Sequence, residues 1–333
     1  MSGLADAQVI DVHAHAVLAE TMGAAGVHGP ELMVLPDGTP SFRVGDYTLD
    51  GVRYEGSPFM DVDLRIKGMD AAGIDVQLLS PNPLTYFHHV DSESARAFCA
   101  THNNTISAIA KTHPTRLGAF AAIPIQDVGA AGEELERGVK ELGLLAPYIG
   151  TDTVRPLHHP DMDRFYAKCV ELDVPLFLHP APAGIDGPAG DPNLKNFDLD
   201  VVMGFAAQEA IAVGSLIFGE VLERHPTLDI CVSHGGGSTA YLIGRMAKAG
   251  KKRPWAPQSL KADGAFEAAF SALWFDSHLN GDASLDLLKS IVGDERLVYG
   301  TNFVGWDAPD ATSGERPNIK LADNARKLLR VES

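Results

Sequence analysis

The chain has 333 residues, 45% hydrophobic and 21% charged, a balance that excludes intrinsic disorder and, at this length, lets folding bury roughly 75% of the surface without disulfide staples. With 44 acidic against 27 basic residues and a net charge of −17, it lacks the basic footprint of a general nucleic-acid binder, although a local basic pocket for a small anionic substrate is compatible with that total. No run of about 18 apolar residues predicts a membrane span, and residues 1–8 lack the basic and apolar stretches of a signal peptide.

Along the chain, short apolar or β-branched runs alternate with helical patterns. The predicted strands are Gln8–Asp11, Val76–Leu79, Leu117–Ala122, Tyr148–Gly150, Leu176–Leu178, Ile230–Ser233, Ala272–Phe275 and Leu297–Gly300. The predicted helices are Asp63–Ala72, Glu93–Thr112, Gly129–Leu142, Asp161–Leu172, Phe205–Arg224, Ala240–Ala249, Ser284–Ile291 and Lys320–Leu329. Strands and helices in strict alternation predict an α/β fold, a (β/α)8 TIM barrel occupying residues 1–333 as one domain. Residues 17–60, rich in Gly and Pro and without a clear period, read as a long insertion after strand 1 at the barrel mouth. Residues 181–200 form a second irregular stretch on the same side. A doubly wound open sheet would call for a Gly-rich first turn, and here that turn carries histidines. Cys99, Cys169 and Cys231 stand singly in apolar runs and read as reduced core thiols of a cytoplasmic protein.

Strand 1 ends in Asp11-Val12-His13-Ala14-His15. Residues two apart on a strand share a face, so His13 and His15 can aim at one point and begin a divalent metal site, although two polar residues closing a strand would read the same. Two further strands run into His179-Pro180 and His234-Gly235-Gly236-Gly237. In a barrel the C-terminal strand ends face one site. Three strands each delivering a histidine there point to metal, because a packed histidine without such a role carries a desolvation cost. His28, His102, His113, His158, His159 and His225 read as ordinary helix-end, turn or loop residues, and His88-His89 as a pair able to line the mouth.

These motifs are similar to the amidohydrolase superfamily, and more narrowly resemble the branch of aminocarboxymuconate semialdehyde and resorcylate-type decarboxylases. The likeness rests on the His13/His15 pair, Leu178-His179-Pro180, Ser233-His234-Gly235-Gly236-Gly237, the run Arg65 to Gln77, the run Phe218 to Pro226 and Tyr241 to Arg245. The resemblance implies a divalent metal, zinc in the first place and manganese in the second, held by His13, His15 and His179, with His234 as acid/base. It implies that Asp276 could support His234, a strand cap being the plainer reading. It implies that Arg53 grips a substrate carboxylate and that Arg245 reaches the neighbouring subunit of a homodimer. Phe59, Tyr86, Phe87 and Trp306 could supply apolar walls.

At strand 8 the sequence departs from that pattern. Asn302 stands where the family carries a metal-binding aspartate. An amide oxygen can ligate, but it cannot take a proton. A ligating natural variant, an engineered substitution and a site that has lost its metal are all open, and Asp307 could substitute only if the loop folds back. The leading function is non-oxidative decarboxylation of a small carboxylated aromatic or muconate-type acid. A hydrolase or hydratase acting on a ring-cleavage product is the alternative, and a non-catalytic ligand-binding barrel a third reading.

Overall fold

In the computed structural model, which describes residues 2–309 and 320–331, the barrel strands are β1 (Ile10–Ala16), β2 (Val76–Pro81), β3 (Leu117–Ala119 and Ala121–Ala122), β4 (Pro147–Gly150), β5 (Leu176–His179), β6 (Ile230–Val232), β7 (Trp274–Asp276) and β8 (Leu297–Val298). Neighbours pair in parallel and in sequence order. Strand β3 breaks at Phe120 but joins both halves, with Phe120 N–H donating to Leu79 O at 2.9 Å and Ala121 N–H to Ala146 O at 2.8 Å. The last seam is closed by Val12 N–H to Tyr299 O at 2.9 Å and Phe303 N–H to His13 O at 3.2 Å.

Strand alternation sorts the side chains. Leu176, Leu178, Ile230 and Val232 pack in the larger apolar cluster with helix residues such as Leu216 and Phe270. Phe177, between the two leucines, packs instead with Phe120 and Tyr148. The Phe120–Phe177 centroids lie 4.3 Å apart and the Tyr148–Phe177 centroids 6.1 Å apart. His179 is two residues past Phe177 and therefore shares its inward face. The three rings make a dry aromatic floor beneath the histidines, with Tyr148 6.0 Å from the His179 ring.

The helices that matter here are α1 (Val62–Ala72), α2 (Gly204–Phe218) and α3 (Thr239–Lys252). Helix α1 begins on Asp61, whose carboxylate accepts from Leu64 N–H, and ends at Gly73 in the left-handed region, the cap pair that stops a helix cleanly. The long helix predicted over 205–224 is interrupted: α2 stops at Phe218 and a short helix, Val221–Arg224, follows Glu220 at φ +56°. The helix Ala265–Ala272 was not anticipated. Residues 17–60 are more ordered than their composition suggested: Glu31–Val34, Pro40–Val44 and Tyr47–Asp50 form an antiparallel sheet. Polar and Gly residues at its turns hid the short strands from a periodicity search. Its Tyr47 lies under the Lys195 ammonium, 5.4 Å from ring centroid to nitrogen, so it meets the segment after β5.

A buried polar chain fixes β1. Asp11 accepts from His13 N–H (3.0 Å), Thr301 N–H (3.1 Å), Thr301 Oγ1 (2.7 Å) and Gln77 Nε2 (2.9 Å). Gln77 Oε1 accepts from Arg65, which also donates to His15 O at 2.6 Å. The β1–β2 register shifts between Asp11 and Ala14, within this network. Burial raises the Asp11 carboxyl to about 6 and lowers the Arg65 guanidinium to about 10, so both depend on these partners. Arg65→Met is expected to cost about 3 kcal/mol, because it strands the His15 carbonyl and the Gln77 amide oxygen and removes the only buried cation in the chain of bonds around Asp11. A urea-unfolding midpoint shift worth less than about 1 kcal/mol would contradict that role.

Candidate active site

Three imidazoles meet at the top of β1 and β5. His13 Nε2 lies 3.2 Å from His15 Nε2, which lies 3.3 Å from His179 Nε2. All three rings are buried. On the other side of each ring, Nδ1 faces an acceptor: Asp276 Oδ2 at 2.9 Å for His13, Pro81 O at 2.9 Å for His15, and Pro180 O at 2.7 Å for His179. A neutral imidazole has one N–H, and these acceptors place it on Nδ1. The Nε2 atoms are then three lone pairs facing one another with no proton between them. Burial and the neighbouring imidazoles push His13 and His179 well below the ordinary histidine range, and burial takes His15 to about 3, so none can protonate to relieve the contact near neutral pH.

A divalent cation fits this arrangement. Tetrahedral zinc with Zn–N bonds of about 2.0–2.1 Å separates its nitrogen ligands by about 3.3–3.4 Å, close to the spacings between His15 and its two neighbours. His13, His15 and His179 are thus the residues able to hold a metal. Asp276 orients His13, its second oxygen accepts from His278 N–H at 3.1 Å, and its charge also favours the protonated form of His234.

His234 packs against this group, its ring centroid 4.9 Å from that of His13 and 5.0 Å from that of His179. The strand ends two residues earlier, and the chain turns away through Gly235, Gly236 and Gly237 at φ +60°, +74° and +61°. A Cβ on Gly237 would lie 2.2 Å from Ala206 O, so that turn against α2 admits only glycine. On α2, the fully buried Glu209 accepts from Ser233 Oγ at 2.5 Å and from His234 Nδ1 at 2.7 Å. Burial by itself would lower His234, but the charge and hydrogen bond of Glu209, joined by the Asp276 and Asp307 charges, together lift the imidazole to about 9.

A second trio adjoins the first: His234, His278 and Asp307 offer ligand atoms all within 4.8 Å of one another. Asn302 and Val304 adopt positive φ, and Gly305 N–H returns to Asn302 O at 2.7 Å, so the loop after β8 does fold back. Asp307 thereby accepts from Asn302 Nδ2 at 2.6 Å, from His278 Nε2 at 3.1 Å and from Asn280 Nδ2 at 3.1 Å. Burial would raise its carboxyl, but the His278 and Asn302 bonds hold it far below the ordinary range. The Asn302 amide is turned onto Asp307, which brings a carboxylate to the strand-8 end.

These groups open onto a cavity of about 440 Å³, within the range of small-molecule sites. Phe205, Leu279, Leu287 and Trp306 wall it, and His234, His278, Asn302 and Asp307 supply its polar end. Neither Arg53 nor Arg245 lines it. Arg53 is exposed on the segment before α1, and Arg245 is exposed on α3, one turn beyond the cavity-lining Tyr241. Of the four aromatic residues considered as walls, Trp306 is on the cavity, while Phe59, Tyr86 and Phe87 are not.

Sequence reasoning missed Glu209, His278 and Asp307 in their present places. Glu209 had a signal, the only carboxylate in the apolar run of α2, and His278 had one, an i, i+2 partner of Asp276. Asp307 depended on a turn that the sequence posed only as a condition.

A family model described as amidohydrolase matches residues 10–331, and the chain belongs to that family. Among curated proteins it is similar to the 2-amino-3-carboxymuconate-6-semialdehyde decarboxylase of Dictyostelium discoideum, 27% identical over 244 residues that cover 73% of this chain and 66% of that one. The gamma-resorcylate decarboxylase of Rhizobium sp. (strain MTP-10005) is 28% identical over 292 residues, covering 81% and 87%. In fold it is similar to the 5-carboxyvanillate decarboxylase of Novosphingobium aromaticivorans, solved with manganese and 4-hydroxy-3-methoxy-5-nitrobenzoic acid, with TM-score 0.72, 23% identity and coverage of 82% and 81%.

Asp276→Asn is expected to weaken metal affinity by about 10–100-fold, because the amide no longer enforces the Nδ1–H form of His13. Competition against a chromogenic chelator measures it, and unchanged affinity would contradict the tautomer argument.

Proposed function

We propose that the chain is a metal-dependent, non-oxidative decarboxylase of a small aromatic or muconate-type acid. The observation that carries this reading is the set of three converging Nε2 lone pairs packed beside His234, a residue that itself lines the polar end of an apolar cavity. The decarboxylase activity of both curated relatives supports it. When bound at His13, His15 and His179, a divalent ion would supply positive charge to polarise a substrate oxygen. Zinc is the ion that three imidazoles favour, and manganese is the ion in the Novosphingobium structure; elemental analysis of the purified chain decides between them.

The chain's own residues would divide the remaining work. Phe205, Leu279, Leu287 and Trp306 give apolar walls that suit an aromatic ring. Glu209 holds His234 by Nδ1–H, which leaves Nε2 to carry the proton that the reaction consumes. That proton bonds to the ring carbon bearing the carboxylate. The carbon–carboxylate bond then breaks, its electron pair returns to the ring, and carbon dioxide leaves. The buried Glu209 carboxylate balances the imidazolium before transfer.

The homodimer belongs to the same reading. Tyr241 and Trp306, 82% and 71% exposed, together with Val202 and Met203, put apolar surface around the cavity mouth near Arg245, and such surface on a monomer marks an interaction site. The three buried free thiols suit a reducing compartment such as the cytoplasm.

An assay of dihydroxybenzoates, carboxyvanillate and muconate semialdehydes tests the reaction. Carbon dioxide release in D2O with one deuterium at the vacated carbon is expected; water addition without carbon dioxide would favour the hydratase or hydrolase alternative. His234→Gln is expected to lower kcat by about 10²–10⁴-fold with metal content unchanged, and near-normal turnover would remove it from the proton path.

A further inference from the structure

Away from the three-histidine centre, the loops after β2, β4 and β5 meet on the same rim of the barrel. They bring together His89, Asp152 and Asp186, whose ligand atoms all lie within 4.8 Å of one another. These residues are 34 to 97 positions apart in the chain. His89 N–H reaches Asp186 Oδ2 at 3.3 Å, and His89 Nε2 lies 2.6 Å from Asp152 O. That carbonyl can only accept, so it draws the ring proton to Nε2 and leaves Nδ1 as a lone pair. Gly187 lets the segment pass over the ring: a Cβ there would lie 2.5 Å from His89 Cδ2.

Two carboxylates in such a place repel each other and are poorly solvated. Burial, then the neighbouring Asp186 charge, pushes the Asp152 carboxyl up to about 6, and burial raises Asp186 as well. No Lys or Arg forms an ion pair with either carboxylate among the described residues. A second observation points the same way. His88 is 1% exposed, its Nδ1 has no hydrogen-bond partner, and that atom lies 3.9 Å from Asp152 Oδ1. Gly150 N–H approaches His88 Nε2 at 3.5 Å, so the ring proton sits on Nδ1, and this buried donor, aimed at the cluster without a bond, would be satisfied by an oxygen in the shell of a bound ion and not by the ion itself.

We propose that His89, Asp152 and Asp186 form a second divalent-cation site, separate from the three-histidine centre, that ties the loops after β2, β4 and β5 together. The two sites differ in kind. Three neutral imidazoles leave a dication its full charge, as a reacting centre requires, whereas two carboxylates and one imidazole neutralise it. A neutralised ion held largely by oxygen suits a structural clasp and favours a manganese-like cation over a softer one. The clasp would pin the start of residues 181–200, which the Tyr47–Lys195 contact holds from the insertion side.

The test is manganese bound per chain, counted by elemental analysis and by loss of the free-ion electron paramagnetic resonance signal, on full-length protein stripped with chelator and then titrated. Two ions per chain are expected in the wild type, falling to one in the double variant Asp152→Asn/Asp186→Asn and to one in His13→Ala/His179→Ala. Stripped of metal, the double asparagine variant is expected to melt above the stripped wild type, because the like-charge repulsion is gone, and to lose most of the manganese-induced rise in Tm. His89→Gln keeps both carboxylates and is expected to weaken the second ion at least tenfold, a readout that stands if the double variant does not fold. One ion in the wild type that survives Asp152→Asn/Asp186→Asn, or two that survive it, overturns the proposal. One ion lost in that variant and kept in His13→Ala/His179→Ala would support this site while contradicting the three-histidine centre.

Discussion

A neutral imidazole owns a single ring proton, and the acceptors behind His13, His15 and His179 decide where it sits. Asp276, Pro81 and Pro180 each claim the Nδ1–H, so three Nε2 lone pairs face each other at 3.2 and 3.3 Å. That contact is unfavourable in a dry interior unless a positive charge stands among them. Much of the architecture around the site serves to hold it there. The aromatic floor of Phe120, Tyr148 and Phe177 bars the rings from tilting downward, and the Asp11–Gln77–Arg65 chain holds the backbone of β1 from below.

The groups proposed to handle the proton come from elsewhere in the structure. Strand ends supply the three inward nitrogens, but Glu209 rises from a helix and Asp307 from a returning loop. This division suits the chemistry. A cation needs fixed donors, which short buried strands provide, while a proton donor needs a counter-charge that can be placed independently of them. His234 joins the two sets because its glycine turn lets the chain leave the strand at once and press its ring against both His13 and Glu209.

Much of this was legible in the sequence because strand periodicity is strict. The i, i+2 spacing of His13 and His15, and His179 two residues beyond Phe177, fix the inward faces without any knowledge of packing. The barrel order followed from alternation alone, even though β8 is only Leu297–Val298. What escaped depends on tertiary contact. Nothing local says that Asp276 would accept from the His13 ring, that a glutamate on a helix would sit behind a histidine 25 residues away, or that Asn302 and Gly305 would turn Asp307 inward. Two arginines show the same limit from the other side. The family resemblance nominated Arg53 and Arg245, but both are exposed in the single chain, away from the cavity.

The most direct measurement of the central claim is anomalous diffraction from crystals of the full chain, recorded at the zinc and manganese edges. The account predicts a peak about 2.0–2.2 Å from Nε2 of each of His13, His15 and His179, with Nδ1 of each ring still on Asp276, Pro81 and Pro180. No anomalous density among those three nitrogens in metal-supplemented crystals, or a ring turned to bind through Nδ1, would contradict it.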